Sequence, residues 1–183
     1  SPESTAANEA HERAQAVINK RLFSLIDPSN NNYDTLADEA KLAAEDAKTA
    51  ADTAATSNIT DMSALLKNDA IDLFAVEFSI RLEGLKQQYK TNPQERKTIL
   101  KKTREESAAK DIVLAGANED SITPNTRTFI ETLNGNYDAF IRKLEEDIRK
   151  EEAQNAAVAA AAVAAAAAAS RAIMVGVPFG CLR

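Results

Sequence analysis

Between Asp61 and Tyr89 lies the only long segment of this 183-residue chain that is dense in large apolar side chains. Met62, Leu66, Leu73, Val76 and Ile80 form one row at helical spacing. Ile71, Phe74, Phe78, Leu82, Leu85 and Tyr89 form a second. Two adjacent rows give an apolar face wider than a surface helix needs. This helix must be covered on more than one side, so the rest of the chain is expected to pack around it.

The chain offers few breaks. Gly and Pro number five each, and alternating β-branched or aromatic runs are absent. The expected fold is all-α: an antiparallel bundle of about five helices with a long Ala-rich C-terminal helix. The expected organisation is a helical bundle over residues 1–153, followed by an Ala-rich helical segment and apolar tail over 154–183.

Local signals place the helices. Ser1, Pro2 and Glu3 suit a helix start, and the apolar row Ala10, Ala14, Val17 or Ile18, Leu22 and Leu25 follows. Asp27-Pro28 stops it, since proline disfavours helical geometry in the residue before it. Asp34 is the expected cap of the second helix. Its apolar positions, Leu36, Ala40, Ala43, Ala47, Ala50 and Ala54, alternate steps of four and three in the manner of a coiled-coil seam. Ala there allows two helix axes to approach closely but buries little area, so this helix needs larger side chains against it.

Asn92-Pro93 with Glu95 reads as a capping box opening the fourth helix. Thr123-Pro124 opens the fifth, whose row Ile130, Leu133, Tyr137, Phe140 or Ile141, Leu144 and Ile148 keeps its phase through Gly135. A single helix is expected there, with Gly135 as the place for a kink. If it runs from Pro124 to Ser170 it is about 70 Å long. Its tail would have to overhang the bundle, bend back, or pack on another molecule. Gly176, Pro178 and Gly180 are expected to break it.

Catalytic groups are poorly supplied. The one histidine, His11, is expected at the surface and excludes a multi-His metal site within these residues. No Gly-rich phosphate loop occurs. Cys181 has no partner cysteine and no neighbouring base. Glu77 and Glu83 interrupt the apolar central helix, either on a narrow polar strip or as buried acids. The expectation is a non-enzymatic protein without cofactor or metal, and an enzyme using carboxylates alone is the remote alternative. The net charge of −6 argues against nucleic acid as a partner. Ser1-Pro2-Glu3-Ser4 lacks the basic and apolar regions of a secretory signal, which points to a cytoplasmic chain or one secreted without a cleavable signal.

Two stretches are candidate binding surfaces. Arg96, Lys97, Lys101, Lys102 and Arg104 form a basic cluster, with Lys97, Lys101 and Arg104 on one helix face. That face suits anionic headgroups or an acidic helix, although a solvated face is the simpler explanation because Glu105 and Glu106 sit alongside. The second stretch is the tail. From Ala156 to Ala169 there is only Ala and two Val, and Arg171 is the one charge before Leu182. The docking or insertion residues are Val158, Val163, Ile173, Met174, Val175 and Phe179. The tail exceeds the roughly 20 residues that span a bilayer. Ala adds little to insertion, however, and a central Arg costs about 2.5–3.5 kcal/mol. Burial in the bundle, opposite the Ala seam of the second helix, is the expected arrangement.

From these features the expected function is a helical interaction or scaffold protein that presents helix faces to a protein partner or another copy. The alternative is a membrane-associated protein, of the kind a secreted bacterial effector would be, inserting residues 156–182 at an anionic membrane surface.

Overall fold

A computed structural model describes residues 1–23, 32–115 and 122–181, with side chains described for 1–22, 32–115 and 122–174. It is all-α. The helices are α1 (Pro2–Phe23), α2 (Tyr33–Thr56), α3 (Thr60–Thr91), α4 (Arg96–Ala115) and α5 (Pro124–Cys181), with a 3-10 turn at Pro93–Glu95 before α4. The chain divides into two compact units, Ser1–Arg142 and Lys143–Arg183.

In the first unit α3 is the organising element, packed by α1, α2 and α4. Residues pair in opposite order along neighbouring helices: Arg21 with Glu39 and Arg13 with Asp46 between α1 and α2, then Arg81 with Asp38 between α3 and α2. With the Ser63 Oγ of α3 donating to the Ala51 carbonyl of α2 at 2.9 Å, these pairs make α1 and α2, and α2 and α3, antiparallel. Both apolar rows of α3 are buried at Leu66, Leu73, Val76, Phe78, Ile80, Leu82 and Leu85.

The seam of α2 is Ala37, Ala40, Ala44, Ala47, Ala51 and Ala54, all fully or almost fully buried. It is offset from the expected row: Leu36, Ala43 and Ala50 are only half-buried beside it. Ala44 and Ala47 meet Ala14 and Ile18 of α1 and Leu73 of α3. Ala51 and Ala54 meet Ala7, Ala10 and Leu66. Leucines on α3 thus fill the space that alanines on α1 and α2 leave open.

The helix starts follow local chemistry, with two differences. The Ser1 Oγ accepts from the Ser4 N–H at 3.1 Å, and the Thr123 Oγ1 accepts from the Thr126 N–H at 3.2 Å. Asp34 does not cap α2, because the helix begins one residue earlier at Tyr33 and Asp34 falls in its first turn. The expected capping box of α4 is not formed either. Asn92 makes no side-chain cap bond, and its carbonyl accepts from the Glu95 N–H at 3.0 Å to close the 3-10 turn. The α2–α3 turn places Asn58 at φ 60°, where Asn is tolerated.

Leu22 is exposed, contrary to the apolar row assigned to it, and Ile112 of α4 is exposed as well. Leu25 and the stop at Asp27-Pro28 lie outside the described residues, as does Gly116, the expected stop of the fourth helix. α5 runs unbroken through Gly135. It also continues to Cys181, past Gly176, Pro178 and Gly180 where breaks were expected.

In the second unit, Leu144 is buried and Ile148 half-buried. Every described residue from Glu152 to Met174 is exposed. Within the first unit the α2 seam is occupied by α1 and α3, where the tail was expected.

Candidate functional site

The α4 helix buries one face and shows the other. Ile99, Leu100, Thr103, Lys110 and Leu114 are buried. Lys97, Lys101, Lys102 and Arg104 are exposed, which leaves four members of the basic cluster in solvent. Arg96 is half-buried, and its Nε donates to the Pro93 carbonyl at 2.9 Å. Lys102 turns towards a cleft of about 490 Å³ that is also lined by Tyr33, Asp34, Arg81, Gly84 and Glu106. The α2 start comes close here: a Cβ on Gly84 would sit 3.0 Å from the Tyr33 Cβ.

Asp34, Arg81 and Glu106 line this cleft, and Arg81 carries further carboxylate partners. The Arg81 guanidinium donates from Nε to Glu77 at 2.8 Å and from Nη2 to Asp38 at 2.7 Å, with Asp34 at 3.9 Å. Glu77 is buried, so it does not lie on an exposed polar strip. It is tolerated because Arg81, one turn on, pairs with it. Glu83 is exposed. The Glu106 Oε2 is buried without a hydrogen-bond partner among the described residues. Burial pushes the Glu106 carboxyl up to about 7, and the nearby Asp34 and Glu77 charges add to the shift while Arg81 and Lys102 oppose it.

A second polar network joins α1, α3 and the start of α5. His11 is half-buried and not a surface residue: its Nδ1 lies 2.5 Å from the Asp69 Oδ2, and the Gln15 Nε2 donates to the other Asp69 oxygen at 2.8 Å. One turn on, Asp72 accepts from the Thr126 Oγ1 at 2.6 Å. Burial holds the Asp72 carboxyl above its ordinary range, the Thr126 bond acts against this, and Asp69 adds to it. The Thr123 N–H donates to Asn68 at 2.9 Å.

Buried Lys110 is a third feature that sequence reasoning passed over. Its Nζ donates to Asn134 and, at 2.8 Å, to Asp111, and stands 5.1 Å from the Tyr137 ring centre. The signal was present in the α4 sequence. Ile99, Thr103, Glu106, Lys110 and Leu114 follow steps of four, three, four and four, so the polar residues share the apolar stripe. A polar residue on an apolar stripe needs a partner: Thr103 donates to the Ile99 carbonyl of its own helix, and Lys110 finds Asn134 on α5 as well as Asp111 beside it.

The tail presents its larger side chains outward. Val158, Val163, Ile173 and Met174 are each more than 60% exposed. The side chains of Val175 and Phe179 lie outside the described residues. By length and composition the tail is apolar enough to cross a bilayer, and none of that stretch is buried. The basic cluster of α4 and the tail belong to different units.

Comparison of the chain with protein-family models, with curated proteins and with solved structures returned no match.

Proposed function

We propose that this chain is a non-enzymatic helical interaction protein whose Ala-rich segment is a docking helix for another copy or for a protein partner. One observation carries the reading. The chain holds two Ala-lined helical stretches, and they stand in opposite environments. In α2 the seam alanines Ala37, Ala40, Ala44, Ala47, Ala51 and Ala54 are covered by neighbouring helices, whereas from Ala156 to Ala169 every residue is exposed. An uncharged helix surface of that length has the close-packing character of the α2 seam but no cover. Water gains nothing from it, and a second helix can approach it closely.

The membrane reading draws on the same stretch, which is long and apolar enough to span. Its weakness is chemical. Burying Arg171 costs about 2.5–3.5 kcal/mol, and the segment has few strongly apolar residues to offset it.

Flotation with phosphatidylserine vesicles separates the two. The full chain is compared with a Val158→Glu/Val163→Glu variant, whose changes are confined to exposed positions. The docking reading expects both to stay in the lipid-free fraction. Flotation of the full chain alone would overturn it in favour of membrane insertion.

A further inference from the structure

Between α1 and α2 runs an open groove of about 380 Å³ whose walls include Ala6, Ala7, Ala10, Ala50, Thr53 and Ala54. Between Glu3 and Arg13 on α1, and between Asp46 and Ala54 on α2, every lining side chain is Ala or Thr; the larger lining residues are Pro2, Glu3, Arg13 and Asp46. A helix can settle into such a groove only if its own contact face is equally small, because Leu-sized side chains would hold the axes apart. The first unit already demonstrates that geometry: the α2 alanines pack directly against Ala7, Ala10 and Ala14 of α1.

The charges at the groove are confined to its ends. At one end Arg13 and Asp46 pair across the rim at 3.3 Å. At the other stands Glu3, in the first turn of α1. Glu3 and Arg13 are ten positions apart on one helix, a distance of about 15 Å at 1.5 Å per residue. The tail has the matching pattern. It carries no charge from Ala153 to Ser170, and Arg171 follows. Ten positions back from Arg171 is Ala161, and between them only Val163 and Ser170 are not Ala.

We infer that the α1–α2 groove receives the Ala161–Arg171 stretch of a second copy, running parallel to α2 so that Arg171 meets Glu3. This rests on the reading of the tail as a docking helix and names its receptor. The contact is heterologous, since one copy gives its groove and the other its tail. A bound pair still offers one free groove and one free tail, so assembly proceeds to open chains or closes as a ring.

Sedimentation velocity over a concentration series tests this with full-length chains. The unaltered chain is expected to associate beyond the dimer. Thr53→Arg fills the groove from an exposed position, and Val163→Glu charges the tail. Each alone is expected to be monomeric, with an unchanged helical circular dichroism spectrum. Mixed, they are expected to form a one-to-one complex and stop there, because only one intact groove and one intact tail remain. Glu3→Arg and Arg171→Glu are each expected to weaken association about three- to ten-fold, and the two combined in one chain to restore it. A chain that stays monomeric throughout overturns the inference, whatever the flotation result. Association lost in Val163→Glu but intact in Thr53→Arg overturns the groove assignment alone and leaves the docking tail standing.

Discussion

The Nδ1 of His11 lies 2.5 Å from the Oδ2 of Asp69, and this contact ties α1 to a carboxylate that is only 1% exposed. α1 also packs through Ala7, Ala10, Ala14 and Ile18, and Arg13 and Arg21 pair with α2. Its polar tie to α3 falls on Asp69, which Gln15 of the same helix also reaches. His11→Ala leaves a buried carboxylate with one partner. The expected loss is about 2–4 kcal/mol in urea denaturation, and Asp69→Asn on the His11→Ala background is expected to recover part of it.

Arg81 neutralises a carboxylate that could not be buried alone. Arg81→Met leaves Glu77 uncompensated and is expected to cost about 3–5 kcal/mol. Adding Glu77→Gln removes the stranded charge, so the double variant should be more stable than Arg81→Met. Thermal unfolding of the three chains side by side measures the coupling. Equal stability of the single and double variants would show that Glu77 finds relief elsewhere.

Glu106 makes stability depend on pH. The folded chain keeps a proton on this carboxyl up to about 7, against an ordinary 4.5. The unfolded chain releases that proton earlier. The contribution of Glu106 is therefore full below about 4.5, declines above it, and is lost once the pH has risen through about 7. Glu106→Gln is expected to flatten the stability curve across this window. At pH 8 it should gain about 1–2 kcal/mol, after discounting for the solvent-exposed part of the group. Urea midpoints from pH 4 to pH 8 give the comparison.

The two Ala-rich stretches should respond oppositely to the same enlargement. Ala47 is fully buried among Ala14, Ile18, Ala44, Ala70 and Leu73. Ala47→Leu forces the α1, α2 and α3 axes apart and is expected to cost about 1–3 kcal/mol. Ala162→Leu on the exposed tail should change the stability of the first unit by less than about 0.5 kcal/mol. Chemical denaturation of both variants checks the contrast.

Lys110 is held by Asn134 and Asp111 and stands over the Tyr137 ring. Tyr137 in turn donates to the Phe78 carbonyl at 2.7 Å, linking α5 to α3. Lys110→Met keeps the volume and removes the charge. It leaves Asn134 without its donor but also removes the cost of burying an ammonium group, so its expected net effect is small, within about 1 kcal/mol. Lys110→Ala, which opens a cavity beside Tyr137, is expected to cost about 2–4 kcal/mol by the same denaturation assay.

The sequence by itself determined the number and order of the helices and the starts at Ser1 and Thr123, because those follow from local chemistry. Pro124 after Thr123, the apolar rows of α3 and the Ala seam of α2 each act within one or two turns. The tail's lack of charge was equally plain. Tertiary structure decided which polar residues are buried. His11, Glu77, Glu106 and Lys110 sit on helices whose rotation is fixed by neighbours, and their partners Asp69, Arg81 and Asn134 include residues 58 and 24 positions away. It also decided that Leu22 and Ile112 stay in solvent and that the α2 seam is filled by α1 and α3. A helical period says which residues share a face. Which face is covered, and by what, depends on the helices packed against it, and that is a property of the assembled bundle.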